Sequence, residues 1–149
     1  MALDYNNYNQ DYLYSPDPFA SSDHDPVIVG FCDAVPPEMS VTVTTDTLWP
    51  PNHKYVTVDA TVDVVDATGG TTIDLVSVTS SEPDDGLGDG DTPDDIEILG
   101  DFTFNLRAEV SGLDGDRVYS ITYQATDACG NVTVTTVTVT VPHDQGKDK

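Results

Sequence analysis

Residues 82 to 95, "EPDDGLGDGDTPDD", place seven carboxylates in fourteen positions with no basic residue among them. Like charges about 4 Å apart at a surface-like dielectric repel by about 4 kcal/mol. A folding chain relieves this by dispersing the groups into solvent, by leaving the stretch disordered, or by gathering a cation. Calcium takes about six to eight oxygen ligands and suits flexible loops in which Asp alternates with Gly. Gly86, Gly88 and Gly90 let the backbone curl until carboxylates converge. Asp84, Asp85, Asp89, Asp91, Asp94 and Asp95 are the expected calcium ligands, with Glu82 next and backbone carbonyls completing the shell. A solvated acidic loop without an ion is the alternative. The stretch is not an EF-hand, because from Asp89 the pattern meets Pro93 and lacks the required Gly and the closing Glu. Asp127, in "TDACGN", joins the ligands if its turn lies at the same end of the domain; otherwise it caps that turn.

Other chemistry is thinner. Cys32 and Cys129 make an even count, and pairing is the expectation for a secreted chain. That bridge would close nearly the whole domain, a constraint of about 4 kcal/mol in the chain-entropy description. Two buried free thiols are the alternative. Asn131 opens the glycosylation sequon "NVT". Trp49, with Pro50 and Pro51, forms a stiff aromatic corner, and His53 and Lys54 are placed to bridge toward the acidic loop. Three scattered histidines do not compose a zinc site, which needs close ligand spacing. Neither a nucleophile–base arrangement nor a separated carboxylate pair stands out, so no enzyme activity is expected.

Strands must position these groups. From Met39 the apolar residues recur at period two, the mark of a strand with one buried face. "MSVTV" aligns Met39, Val41 and Val43; "YVTVDATVDVV" aligns Val56, Val58, Ala60, Val62 and Val64; "TTIDLVSVTS" follows, less regular. "FTFNLRAEV" aligns Phe102, Phe104, Leu106, Ala108 and Val110, and "RVYSITYQA" aligns Tyr119, Ile121, Tyr123 and Ala125. In "NVTVTTVTVTV" the valines change parity between Val134 and Val137, which a β-bulge near Thr135 and Thr136 would reconcile. "ATGG", "GLDGD" and "DACGN" are turns, and no segment holds a helical period. The expected fold is all-β, an immunoglobulin-like antiparallel sandwich of about seven strands, with a closed barrel as the second choice. Residues 31–149 form this domain and residues 1–30 an N-terminal extension, rich in Tyr and Asn.

A net charge of -22, from 27 acidic and 5 basic residues, argues against nucleic acid and anionic membranes, which require a positive face. Cations are the natural partners. No run approaches the roughly 18 apolar residues of a membrane span. The opening "MALDYNNYNQDYLYSPD" lacks the features of a secretion signal, which is expected to have been removed, and the body composition points to an extracellular location.

"LWPPNHKYVTV", "GDGDTPDD", "LRAEVSG" and "RVYSITYQATDACGNVTVTTVTVTVPHDQGK" resemble an immunoglobulin-like module of bacterial secreted proteins, similar to the hyalin-repeat and PKD-like domains. The resemblance covers roughly residues 36 to 147. It implies a secreted β-sandwich that serves as spacer, adhesive unit or accessory domain, often with calcium at its loops and without catalysis. The extension lies outside it. Tyr5, Tyr8, Tyr12 and Tyr14 offer amphipathic contact area there, and an extended segment can add a strand to another subunit's sheet edge. The expected function is an extracellular calcium-binding subunit that assembles with copies of itself, plausibly into a filament. The alternative is an adhesive or glycan-binding module using Trp49 and Tyr55.

Overall fold

A computed structural model describes residues 32–67, 69–84, 93–112 and 115–144. The chain divides into two units, Met1–Phe31 and Cys32–Lys149, and all described residues belong to the second. Among the described residues seven strands run in order: β1 (Glu38–Val43), β2 (Tyr55–Val65), β3 (Thr72–Ser80), β4 (Ile96–Gly100), β5 (Thr103–Arg107), β6 (Arg117–Thr126) and β7 (Val132–Val141). Every strand pairing is antiparallel. One sheet has the order β1-β2-β5-β4 and the other β3-β6-β7, so the fold is an all-β sandwich.

The alternation seen in the sequence is the alternation of burial. On β6, Tyr119, Ile121, Tyr123 and Ala125 are fully buried, and they meet Val58, Phe104 and Leu106 from the facing sheet. A side chain such as Ile121 contributes about 1.5 to 3 kcal/mol by leaving water. The two tyrosines carry a polar tip that burial obliges them to satisfy. Tyr119 donates its hydroxyl to the carbonyl of Arg107 at 2.8 Å, and Tyr123 donates to that of Asp101 at 2.7 Å. Those carbonyls flank β5, so β6 pins both ends of a strand in the opposite layer. Leu48, 1% exposed, plugs one flank: its N–H bonds the Thr140 carbonyl at 2.8 Å and Thr140 bonds Asp46 at 2.8 Å, joining the β1–β2 connection to β7.

The last strand departs from expectation. β7 pairs with β6 in unbroken register from Arg117↔Val141 to Thr126↔Val132, with no bulge near Thr135 or Thr136. Val132 and Val134 face outward, and Thr133 and Thr135 turn inward. The reason is what lies opposite. There β7 meets the backbone of residues 37 to 39, whose carbonyls need donors; the Thr133 hydroxyl donates to Pro37 and that of Thr135 to Met39. Valine could not do this. The irregularities sit instead in β3, between Leu75 and Ser77, and in β4, between Ile98 and Gly100. β4 itself follows the acidic stretch and was not expected from the sequence. Phe102 is 41% exposed, stacked on Tyr123 with centroids 5.7 Å apart, and the β5 alternation ends where Glu109 is buried.

Ile121→Ala should lower unfolding free energy by about 2 to 5 kcal/mol, the range for core truncations that leave a cavity. Val134→Thr should change it by less than about 0.5 kcal/mol. Urea denaturation of the two variants checks the assignment of buried and outward parity on β6 and β7.

Candidate functional site

Only five residues of the chain are basic, and its two arginines meet under the acidic stretch. Arg117 opens β6 at the inward parity of Tyr119 and is completely buried. Its Nε lies 3.1 Å from Glu82 Oε2 and its Nη1 2.8 Å from Asp95 Oδ2; Nη2 donates to the Pro83 carbonyl at 2.9 Å and Nη1 to the Tyr119 hydroxyl at 3.3 Å. Arg107, at the end of β5, places Nε 3.3 Å from Asp95 Oδ1. Its Nη1 donates to the His53 carbonyl at 3.0 Å and its Nη2 to that of Pro93 at 3.1 Å. The same guanidinium lies 4.2 Å over the ring of Tyr55, whose hydroxyl donates to the Asp94 carbonyl. Asp95 is thus held between two arginines. Both contacts are short ion pairs.

The two ends of the acidic stretch are tied together at a neck. Asp84 Oδ1 accepts the Asp95 N–H at 2.7 Å and Oδ2 accepts the Asp94 N–H at 3.1 Å. Those bonds hold the Asp84 carboxyl below the usual carboxylate range. Glu82 Oε2 also takes the Ser111 N–H at 2.9 Å. Glu109, fully buried, accepts or shares a proton with His53 Nδ1 at 2.9 Å. Two buried carboxylates, those of Glu82 and Asp95, therefore pair with the two arginines while the buried Glu109 pairs with His53, and among the described residues Glu82 Oε1 and Glu109 Oε1 have no hydrogen-bond partner. Burial pushes the Asp95 carboxyl up to about 6, against the pull of Arg117 and with Glu109 and Asp84 adding repulsion. Burial opposes the Arg117 charge too, but Tyr119, Asp95 and Glu82 outweigh it and raise its pKa.

Of the expected calcium ligands, Asp84, Asp94, Asp95 and Glu82 meet at this neck, while Asp85, Asp89 and Asp91 lie outside the described residues. Asp94 is exposed, with φ of 64°. Among the described residues no group of three or more His, Cys, Asp or Glu side chains is arranged to hold a metal. Asp127 sits at the far end of β6 from Arg117 and caps its own turn, Oδ1 accepting the N–H groups of Cys129 and Asn131 at 2.8 Å each. Burial works against that carboxylate, but the Asn131 and Cys129 donors prevail and lower its pKa. The Asn131 amide donates to Asp127 Oδ2 at 2.8 Å and to the Asp33 carbonyl at 3.0 Å, so the sequon nitrogen is engaged in structure.

Cys32 and Cys129 are both thiols, and they meet. His53 pairs with Glu109, and Trp49 is 45% exposed. Tyr5, Tyr8, Tyr12 and Tyr14 lie outside the described residues. The residues not anticipated are Arg107, Arg117, Glu109 and Tyr119. One signal was present: Arg117 stands at the parity of Tyr119, where the alternation calls for an apolar side chain, whereas Glu109 stands at the outward parity and gave no signal of its burial. Comparison with family models, curated proteins and solved structures returned no match.

Removing Arg117 strands buried carboxylates, so Arg117→Ala should cost about 3 to 5 kcal/mol in denaturant unfolding. Asp95 also gives a pH signature. Its folded pKa of about 6 lies above the unfolded 3.8, so the folded state holds the extra proton between these values, and this group's contribution falls as pH rises through about 4 to 6. The shift corresponds to at most about 3 kcal/mol. Subtracting the pH dependence of stability of Asp95→Asn from that of the wild type should leave a slope confined to that window.

Proposed function

We propose that the protein is an extracellular calcium-binding structural subunit, an immunoglobulin-like module that assembles with copies of itself through its N-terminal extension. The strand orders β1-β2-β5-β4 and β3-β6-β7 match the constant-type immunoglobulin arrangement and support that finer reading of the sandwich. The observation that carries the calcium reading is the crowding of carboxylates at the neck: Glu82 and Asp95 lie on the two arginines, Asp84 and Asp94 lie beside them, and Glu82 Oε1 has no hydrogen-bond partner among the described residues. Buried carboxylate oxygens without donors are costly. A divalent cation held by the acidic loop lowers that cost electrostatically, and Asp84 keeps the ends of the loop together for it.

Assembly needs a surface that a polyanion can approach. The outward positions of β3, β6 and β7 carry Thr, Ser, Gln and Val with Asp74 as their single charge, and Val134 is 58% exposed. The outward face of the other sheet carries Glu38, Asp59, Asp63 and Glu97. Copies bearing -22 each repel least across the first face. Its edge strand, β3, is the acceptor we assign to the extension of a neighbouring copy, which gains backbone hydrogen bonds there. Such a head-to-tail contact repeats without closing and builds a filament.

Calcium should raise the melting temperature with a half-effect near 0.1 to 1 mM, about the range of extracellular modules, beyond that of NaCl at equal ionic strength. Asp89→Asn combined with Asp91→Asn should abolish the increment. Identical melting with calcium and with chelator would remove the calcium reading. For assembly, deletion of residues 1–30 should eliminate polymers in light scattering and negative-stain microscopy while the melting transition persists. Polymers that survive the deletion would refute the role of the extension.

A further inference from the structure

Cys32 and Cys129 come together at the point where the chain enters the sandwich, because the turn that carries Cys129 also holds the segment that carries Cys32. Cys129 lies in the β6–β7 turn. Asp127 Oδ1 holds its N–H at 2.8 Å, the Asp127 carbonyl takes the Gly130 N–H at 3.2 Å, and Gly130 adopts φ of 85°, which suits glycine. Cys32 is positioned by its neighbour: Asn131 Nδ2 grips the Asp33 carbonyl at 3.0 Å while also bonding Asp127 Oδ2 at 2.8 Å. Asn131 so brings the chain at Cys32 against the turn that carries Cys129, the Cys32 side chain is the main influence on the Cys129 thiol, and Cys32 is exposed to solvent.

We infer that Cys32 and Cys129 are a disulfide-forming pair, a covalent clasp between the root of the N-terminal extension and the β6–β7 turn. The oxidant is a small-molecule disulfide, RSSR. The exposed Cys32, as thiolate, attacks one sulfur of RSSR; the S–S bond breaks, and RS⁻ leaves and takes up a proton. Cys129 then gives its proton to solvent and attacks the Cys32 sulfur, releasing the second RSH. Two thiols are oxidised by two electrons in total, and one RSSR is reduced to two RSH. The order has a physical basis. The hydrogen bond with Cys32 is the largest influence holding the Cys129 thiol up to about 11, with burial and the Asp127 charge adding to it. Once Cys32 is a mixed disulfide that bond is lost, and Cys129 becomes the easier thiol to ionise.

The clasp changes where tension enters the domain. Residues 32–37 make no strand pairing and are held by two side-chain bonds, Asn131 to the Asp33 carbonyl and Thr133 to that of Pro37, so a pull on the extension that breaks these reaches β1, a six-residue edge strand that can peel from β2 one pair at a time. With the bridge closed, the pull enters between β6 and β7, which pair over ten consecutive positions. This role rests on the reading of the extension as the assembly element in one respect only, that force enters there. Pairing and strand protection are measured on the unassembled full chain, so either idea can fail alone.

The full-length protein is incubated with oxidised glutathione, denatured, and assayed for free thiols. The expected result is no free thiol, no retained glutathione, and a non-reducing digest that joins the Cys32 and Cys129 peptides. Two free thiols, stable glutathione adducts on both cysteines, or a cross-linked dimer on a non-reducing gel would overturn the pairing. Hydrogen exchange then compares oxidised and reduced chains, with Cys32→Ser as the unbridged control. Amides of β1 should exchange several-fold more slowly in the oxidised chain alone. Equal exchange in all three would overturn the clasp as a protection of β1.

Discussion

One arginine buried in the interior and a second at its rim organise this molecule. A guanidinium does not deprotonate in a protein, so the buried Arg117 has to be matched by carboxylates and carbonyls wherever the fold puts it. The match draws from distant parts of the chain: Glu82 and Pro83 after β3, Asp95 before β4, and Tyr119 on β6 itself. Arg107 adds Tyr55 from the neighbouring strand β2, and His53 and Asp94 from the connections that lead into β2 and β4. Pairs of this kind contribute little net stability over apolar packing, but an arrangement that leaves one partner out is penalised heavily. The cluster therefore selects one closure of the sandwich among the several that period-two strands permit.

That closure explains why so acidic a segment can be tolerated. The ends of residues 82–95 enter the protein as ion-paired, hydrogen-bonded groups. Charge is segregated on the sheets as well. One outer face carries four carboxylates and the other a single one, Asp74, among hydroxyls and valines. A uniform coating of 27 acidic residues would keep copies apart on every side; an uneven one leaves a direction of approach.

The opposite end of β6 follows a different logic. There the Asp127 turn is built from neutral donors around one carboxylate, with Asn131 reaching back to the chain before β1. The two ends of one strand thus serve two tasks, ionic closure at Arg117 and anchoring of the incoming chain at Cys129. β6 can carry both because its inward side chains are fully buried and its two tyrosines bond the facing layer.

Local pattern alone determined that the chain would be all-β and pointed to a sandwich, since alternating valines on β2 and alternating tyrosine, isoleucine and alanine on β6 leave water together when strands bury one face. It also marked the acidic stretch as the place where charge must be managed. Parity along β7 escaped it, because Thr133 and Thr135 turn inward only in response to carbonyls nearly a hundred residues earlier in the chain. The partners of Glu82 and Asp95, the burial of Glu109, the separation of Asp127 from the acidic loop and the meeting of the two cysteines were likewise decided by tertiary structure. Period two reports which side of a strand is dry. It carries no information about which distant charge, carbonyl or thiol waits on that side.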